Sequence, residues 1–253
     1  MNALETSLKE LRLPGVRRVY REEAERARRE DLGYEEYLEC LMQQEVDQRR
    51  VSRIDRYLRQ SKLPLEKTLE MFDQRRLPRP VRLKVKSLLD GSFLQRSENV
   101  LAFGNPGSGK THLLCAIGHE LVQQSRRVRF YTCSLLVQKL LIAKREMRLE
   151  KLLKKLSRYD ALIIDDIGYV QQSREEMEVL FTLLAERYER GSVMLTSNLP
   201  FSKWEKIFKD PMTTAAAIDR LVHHSVILEL NVKSYRLEHS KSIGKEGENQ
   251  REF

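Results

Sequence analysis

Gly104-Asn105-Pro106-Gly107-Ser108-Gly109-Lys110-Thr111 follows the pattern G-x-x-x-x-G-K-[ST], and the chemistry of that pattern is the holding of phosphate. Glycines let the backbone curl so that successive N–H groups face phosphate oxygens, and a helix opening behind them adds the partial positive charge of its N-terminus. In such a cradle Lys110 reaches the β- and γ-phosphates and the Thr111 hydroxyl ligates Mg2+. Three of the chain's 11 glycines fall in this loop, which marks a special backbone in a chain that otherwise uses few. A structural Gly-rich turn is the alternative, but a chance match in a chain this long is on the order of one in a hundred.

Asp160-Ala161-Leu162-Ile163-Ile164-Asp165-Asp166 supplies a second chemical group. Four apolar residues read as a buried parallel strand, and two carboxylates emerge at its C-terminal end, where ligands of open α/β sheets bind. Asp165 is placed to hold Mg2+, and Asp166 to orient and deprotonate an attacking water. Acidic turn residues capping a strand are the plainer reading. Asn198, after Val193-Met194-Leu195-Thr196-Ser197, offers an amide for the γ-phosphate or the water, or is simply a turn former. Arg220 carries a rigid guanidinium fork suited to transition-state charge in a neighbouring subunit's site. An ion pair with Asp219, or an exposed helix face, accounts for it equally well.

These groups need a scaffold, and the hydrophobic pattern supplies one. Short apolar runs at Val100–Phe103, Val128–Tyr131, Ala161–Ile164, Val193–Leu195 and Val226–Leu230 alternate with helical stretches. That alternation predicts a parallel sheet covered on both faces. The first 75 residues read as helices, for Arg21–Glu30 contains only Arg, Glu and Ala. Arg75-Arg76-Leu77-Pro78-Arg79-Pro80 reads as a linker because its prolines cannot extend a helix. The expected organisation is a helical domain over 1–75, a linker and pre-core helix over 76–98, an α/β core over 99–239 and a disordered tail over 240–253.

The chain has 253 residues, 46 Lys+Arg and 37 Asp+Glu, a formal charge of +9. Residues 1–75 are neutral overall, 76–160 carry +12 and 161–253 carry −3. No apolar stretch is long enough to cross a membrane, and the N-terminus lacks a signal-peptide layout. Three cysteines, Cys40, Cys115 and Cys133, share no metal-ligand spacing and suit the cytoplasm. His112, His119, His223 and His224 give no metal signature either, and Trp204 reads as a packing anchor. A secreted disulfide scaffold, a membrane protein and a collagen-like chain are excluded.

The positive balance raises double-stranded DNA as a partner. At 100° per residue, Lys144, Arg148, Lys151 and Lys155 fall within about 60° of one another, with Leu149, Leu152, Leu153 and Leu156 about 120° away. One amphipathic helix with a basic stripe is therefore expected there. Arg49, Arg53 and Arg56 line a second stripe, although Glu45 is placed to pair with Arg49 at i,i+4. Neither stripe carries a base-reading motif, so contacts to the DNA backbone with steep salt dependence are expected. A solvated helix face is the plainer reading of each.

The order of P-loop, hydrophobic-Asp-Asp, Thr-Ser-Asn and Asp-Arg-Leu resembles the AAA+ ATPases of the helicase-loader clade, and within it the IstB family of transposition helper ATPases. The likeness covers nearly the whole chain, including Leu11–Gly15, Gln44–Arg50, Lys67–Glu70, Gly109–Leu113, Asp165–Tyr169 and Ser234–Arg236. It implies an ATP-binding protein that oligomerises on DNA without sequence preference and recruits or regulates an insertion-sequence transposase. Lys110 and Thr111 then form the Walker A pair, with His112 beside them. Asp165 is the Walker B carboxylate, Asn198 falls at sensor 1 and Arg220 at the arginine finger, and Arg236 is offered for sensor 2. The implied fold is an α/β P-loop NTPase core of three layers with a small all-helical N-terminal domain. Two departures stand out. Asp166 occupies a position where many members have the longer Glu, which points to slow turnover, and little pattern follows the last strand, so the C-terminal helical lid is expected to be absent. A DnaC-like helicase loader, a small-molecule P-loop kinase and a non-hydrolysing nucleotide switch are the competing readings.

Overall fold

The structure is a computed structural model and describes residues 3–168, 173–208, 211–232 and 234–235. Arg236 and the tail from 240 onward lie outside the described residues. Two compact units divide the chain, Met1–Tyr57 and Leu58–Phe253.

The first unit holds α1 (Ala3–Glu10), α2 (Pro14–Glu30) and most of α3 (Tyr34–Ser61). Leu8, Val16, Tyr20 and Leu41 form its buried core, with Leu13, Val19 and Tyr37 packed around them. Pro14 opens α2 but Leu13, the residue before it, has no side chain able to cap a helix, so the first amides of α2 need another acceptor. Glu45 of α3 provides it. Its Oε2 accepts from Gly15 N at 2.7 Å and Val16 N at 3.2 Å, and its Oε1 accepts from Arg49 Nε at 2.8 Å. A Cβ on Gly15 would lie 2.9 Å from the Glu45 Cα, so only glycine allows the two helices to come this close. Burial pushes the Glu45 carboxyl up, but the hydrogen bond from Arg49 and those from the Val16 and Gly15 amides outweigh it and hold the group below its ordinary range.

The second unit is built on a five-stranded parallel sheet in the order β2-β3-β4-β1-β5. The strands are β1 (Asn99–Phe103), β2 (Val128–Thr132), β3 (Ala161–Ile167), β4 (Ser192–Ser197) and β5 (Ser225–Glu229), one at each of the five apolar runs. Its helices are α4 (Arg79–Leu88), α5 (Lys110–Gln123), α6 (Cys133–Arg145), α7 (Leu149–Leu156), α8 (Arg174–Arg187), α9 (Glu205–Phe208) and α10 (Pro211–Val222). Strand alternation sorts the core into two layers. Leu162 and Ile164 join the cluster with Leu136, Leu180, Trp204 and Leu221. Ile163 faces α5, where a Cβ on Gly118 would lie 2.8 Å from its Cδ1. Trp204 is fully buried and its Nε1 donates to the Leu199 carbonyl at 3.1 Å, the anchor that its composition suggested.

Residues 58–75 pack with the sheet unit. His119 Nε2 lies 3.0 Å from the Pro64 carbonyl and His112 Nε2 lies 2.9 Å from the Thr68 carbonyl. Buried Arg187 ties the N-terminal ends of β3 and β4 together by donating to the carbonyls of Leu156, Tyr159, Asp160 and Ser192 at 2.9–3.2 Å. Burial pushes its guanidinium down to about 10.

Candidate active site

The site lies at the C-terminal ends of β1, β3 and β4, where the chain order reverses across the sheet and a crevice opens. Gly104–Gly109 links β1 to α5. Gly109 has φ 93° and precedes α5 with no side-chain cap, so the first-turn amides are not covered by a capping group. The Lys110 ammonium turns into the loop and donates to the carbonyls of Gly104 at 2.8 Å and Asn105 at 3.0 Å. Ser108 Oγ is buried and has no hydrogen-bond partner among the described residues, a cost of about 1–3 kcal/mol that a polar occupant of the loop relieves. Both features fit a phosphate-bearing ligand.

Two segments flank this loop. Phe72 stands where a Cβ on Gly109 would come within 3.0 Å of its ring, and His112 meets it edge-on with centroids 5.2 Å apart. His112 thus faces the 68–72 segment. On the other side, Gly107 (φ 78°) leaves room for Ser234 that a Cβ would fill. Its carbonyl accepts from Tyr235 N at 3.0 Å, and the Arg76 guanidinium lies 5.1 Å from the Tyr235 ring.

Asp165 and Asp166 share a deformation that the sequence pattern does not reveal. The pairing of β3 with β4 shifts between Ile164 and Ile167, a bulge of the kind that re-aims side chains. Asp166 takes φ 60° and is exposed, whereas Asp165 is only 6 % exposed. The Thr196 hydroxyl joins them, donating to Asp165 Oδ1 at 2.7 Å and accepting from Asp166 N at 2.8 Å. Thr196 sits one strand over, 30 residues later; the Thr-Ser-Asn run drew attention to Asn198, and local sequence gave no sign of the bonds that Thr196 makes. Asp165 and the Thr111 hydroxyl offer oxygen donors of the type Mg2+ takes.

Asn198 is half-buried at the end of β4 and lines a cavity of about 350 Å³ with Gly104, Asn105, Phe201 and Glu229. It therefore joins the P-loop. Arg220 does not. Its carbonyl lies 3.5 Å from Asn99 Nδ2, beside the first residue of β1, and its guanidinium stands 4.7 Å from the Phe181 ring of α8. At about 3.3 Å per residue the two ends of β1 are about 13 Å apart, so Arg220 occupies the opposite end of the sheet from the P-loop of its own chain.

The expected single helix from Lys144 to Lys155 is two helices. α6 stops at Arg145, Met147 takes φ 56°, and the amides of Met147 and Arg148 close back on Lys144 and Ala143 at 3.1 and 2.7 Å. A residue in the left-handed region ends a helix in this way, and here no Gly or Pro announces it. Lys144 thus sits on α6 and pairs with Glu178 at 3.1 Å. Arg148 precedes α7 and pairs with Glu146 at 3.3 Å. Lys151 and Lys155 are exposed on α7, whose leucine face packs on the core. On α3, Arg49, Arg53 and Arg56 are exposed, but Arg49 is tied to Glu45 and to the Arg12 carbonyl at 2.9 Å.

The fold is similar to that of the DnaC helicase loader, with a TM-score of 0.56 at 16 % identity over 67 % of this chain and 98 % of that one. It is also similar to AMPPCP-bound DnaA from Aquifex aeolicus, with a TM-score of 0.57 at 21 % identity over 73 % of this chain and 56 % of that one. These likenesses establish an AAA+ fold. An insertion-sequence ATP-binding protein of Sinorhizobium fredii is 44 % identical over 90 % of this chain and 77 % of its own length. An ATP-binding protein of insertion sequence IS21 from Pseudomonas aeruginosa is 40 % identical over 96 % and 92 %. The family model for IstB-like ATP-binding proteins matches residues 6–243, and the chain belongs to that family as an ATP-binding P-loop ATPase.

Proposed function

We propose that this ATPase assembles on duplex DNA in an ATP-dependent way and there recruits or regulates the transposase of an insertion sequence. One observation carries the catalytic half. Lys110 opens α5 behind the loop that follows β1, Asp165 and Asp166 lie at the C-terminal end of β3, and Thr196 on β4, the strand between these two, holds the Asp165 carboxylate and the Asp166 amide. In this reading the P-loop amides and Lys110 hold the phosphates of ATP, and Thr111 and Asp165 hold Mg2+. When bound, Mg2+ neutralises phosphate charge and orients the γ-phosphoryl group. Asp166 accepts a proton from water as its oxygen attacks the γ-phosphorus, the bond to the β-phosphate oxygen breaks and ADP leaves. Asn198 orients the water or the γ-phosphate.

The distance of Arg220 from its own P-loop supports action in trans. A neighbour's Arg220 completes the site, so ATP favours assembly and hydrolysis releases it. The exposed Lys151 and Lys155, with Lys144, Arg148, Arg53 and Arg56, are the surfaces offered to DNA phosphates, and the helical first unit serves subunit or partner contact. The names of the insertion-sequence relatives support the transposase as partner, and in this reading the place of action is the bacterial cytoplasm, at the nucleoid when DNA is bound.

The test is assembly on DNA by two variants. Lys110→Ala loses nucleotide binding and with it ATP-dependent assembly, whereas Arg220→Ala keeps ATP binding and loses hydrolysis and stable oligomers. Normal ATP-dependent assembly by Lys110→Ala, or unchanged turnover by Arg220→Ala, overturns the scheme. Capture of a replicative helicase and not a transposase would favour the loader reading.

A further inference from the structure

At the opposite end of the sheet from the P-loop, three side chains with metal-binding chemistry converge. Glu189 follows the C-terminus of α8, and His223 with His224 fills the turn between α10 and β5. One donor atom of each lies within 4.8 Å of the other two, and all three residues are exposed. The turn presenting the histidines is anchored. His223 N donates to the Asp219 carbonyl at 2.9 Å, and the His224 carbonyl accepts from Asn99 N at 2.7 Å. The Tyr188 hydroxyl lies 3.2 Å from His223 Nδ1, an outer hydrogen bond of the kind that fixes the ring of a metal-ligating histidine. The two imidazole centroids are 4.2 Å apart at 66°.

We propose that Glu189, His223 and His224 form a site for a divalent transition metal of the zinc class, with water completing the coordination. Two imidazoles and one carboxylate are ligands that zinc accepts, whereas Mg2+ and Ca2+ require oxygen sets. The site is thereby chemically distinct from Thr111 and Asp165. Donors around a tetrahedral zinc stand about 3.3 Å apart, from bonds of about 2.0–2.1 Å. Rotation of the exposed Glu189 and His224 side chains toward the His223 ring closes the remaining gap. The ion would clip the end of α8 to the end of α10, the two helices between which Arg220 rests against Phe181. Sequence spacing hid the site, because Glu189 lies 34 residues before His223.

The experiment uses the full chain without a polyhistidine tag, treated with chelator, dialysed and kept free of nucleotide. Zinc chloride is titrated calorimetrically and the thermal midpoint is followed in parallel. One zinc per chain should bind saturably and raise the midpoint. In His223→Ala/His224→Ala affinity should fall about 100-fold and the midpoint shift vanish, and in Glu189→Gln affinity should fall about tenfold. Cys40→Ser and Thr111→Ala should bind zinc as the parent does, which separates this site from the thiols and from the nucleotide site. Circular dichroism of the exposed-residue variants confirms that they fold. Absence of saturable zinc binding, or unchanged binding by the double histidine variant, overturns the proposal.

Discussion

Replacing Thr196 by valine isolates the one hydroxyl that connects the two active-site carboxylate positions. Thr196 is fully buried and valine has nearly its shape, so the change makes no cavity. What disappears is a hydrogen bond to Asp165 at 2.7 Å and an acceptor for the Asp166 amide at 2.8 Å. A bond to a charged group contributes about 1.5–3 kcal/mol, and an amide left without an acceptor costs about 1–3 kcal/mol. Water reaching exposed Asp166 relieves part of the second figure, so a loss of about 2–4 kcal/mol in stability is expected. Removing a group that orients a metal-holding carboxylate costs about 10–100-fold in metal affinity or activity. The assay is ATP turnover across a Mg2+ titration, with urea unfolding of the same samples. Thr196→Val should need more Mg2+ and turn over about 10–100-fold more slowly, and Thr196→Ser should stay close to the parent. Parental Mg2+ dependence and turnover in Thr196→Val would refute the linkage.

Glu45 gives a pH prediction for the first unit. Its folded pKa is depressed, so its stabilisation is complete above the unfolded value of about 4.3 and is lost as pH falls through the lower folded value. Helicity of Glu45→Gln should be lower than the parent's at neutral pH and flatter through that acidic window. For Arg187→Met, four carbonyls lose a buried donor, and urea unfolding should show a loss on the order of 3 kcal/mol. Lys151→Ala/Lys155→Ala should reduce the slope of log K for duplex DNA against log salt by about 2, and an unchanged slope would move the interface off α7. With native protein, a thiol reagent should label Cys40 while sparing Cys115 and Cys133, both buried; burial pushes the Cys115 thiol up to about 12.

The parts of this site written in consecutive residues were legible. Gly104–Thr111 carries its backbone demand in its glycines, and Asp165-Asp166 closes an apolar run that had to be a buried strand. The Glu45–Arg49 pair was also readable, because helical spacing alone brings the two together. Features made by pairing distant segments were not. The bulge at Asp165-Asp166 depends on register against β4, and the role of Thr196 follows from that register. The break between α6 and α7 rests on Met147 adopting a conformation that its type does not favour, so a periodic pattern ran straight through it. The packing of residues 63–72 against α5 likewise uses carbonyls of Pro64 and Thr68, which leave no trace in hydrophobic periodicity.

In the proposed function, ATP held in this cradle drives assembly on DNA. Electron microscopy of the protein with duplex DNA, in the presence of ATP or without nucleotide, tests it most directly. Discrete higher-order particles on DNA with ATP, and their absence without it, are predicted. The same particles in both samples, or none in either, would contradict ATP-driven assembly.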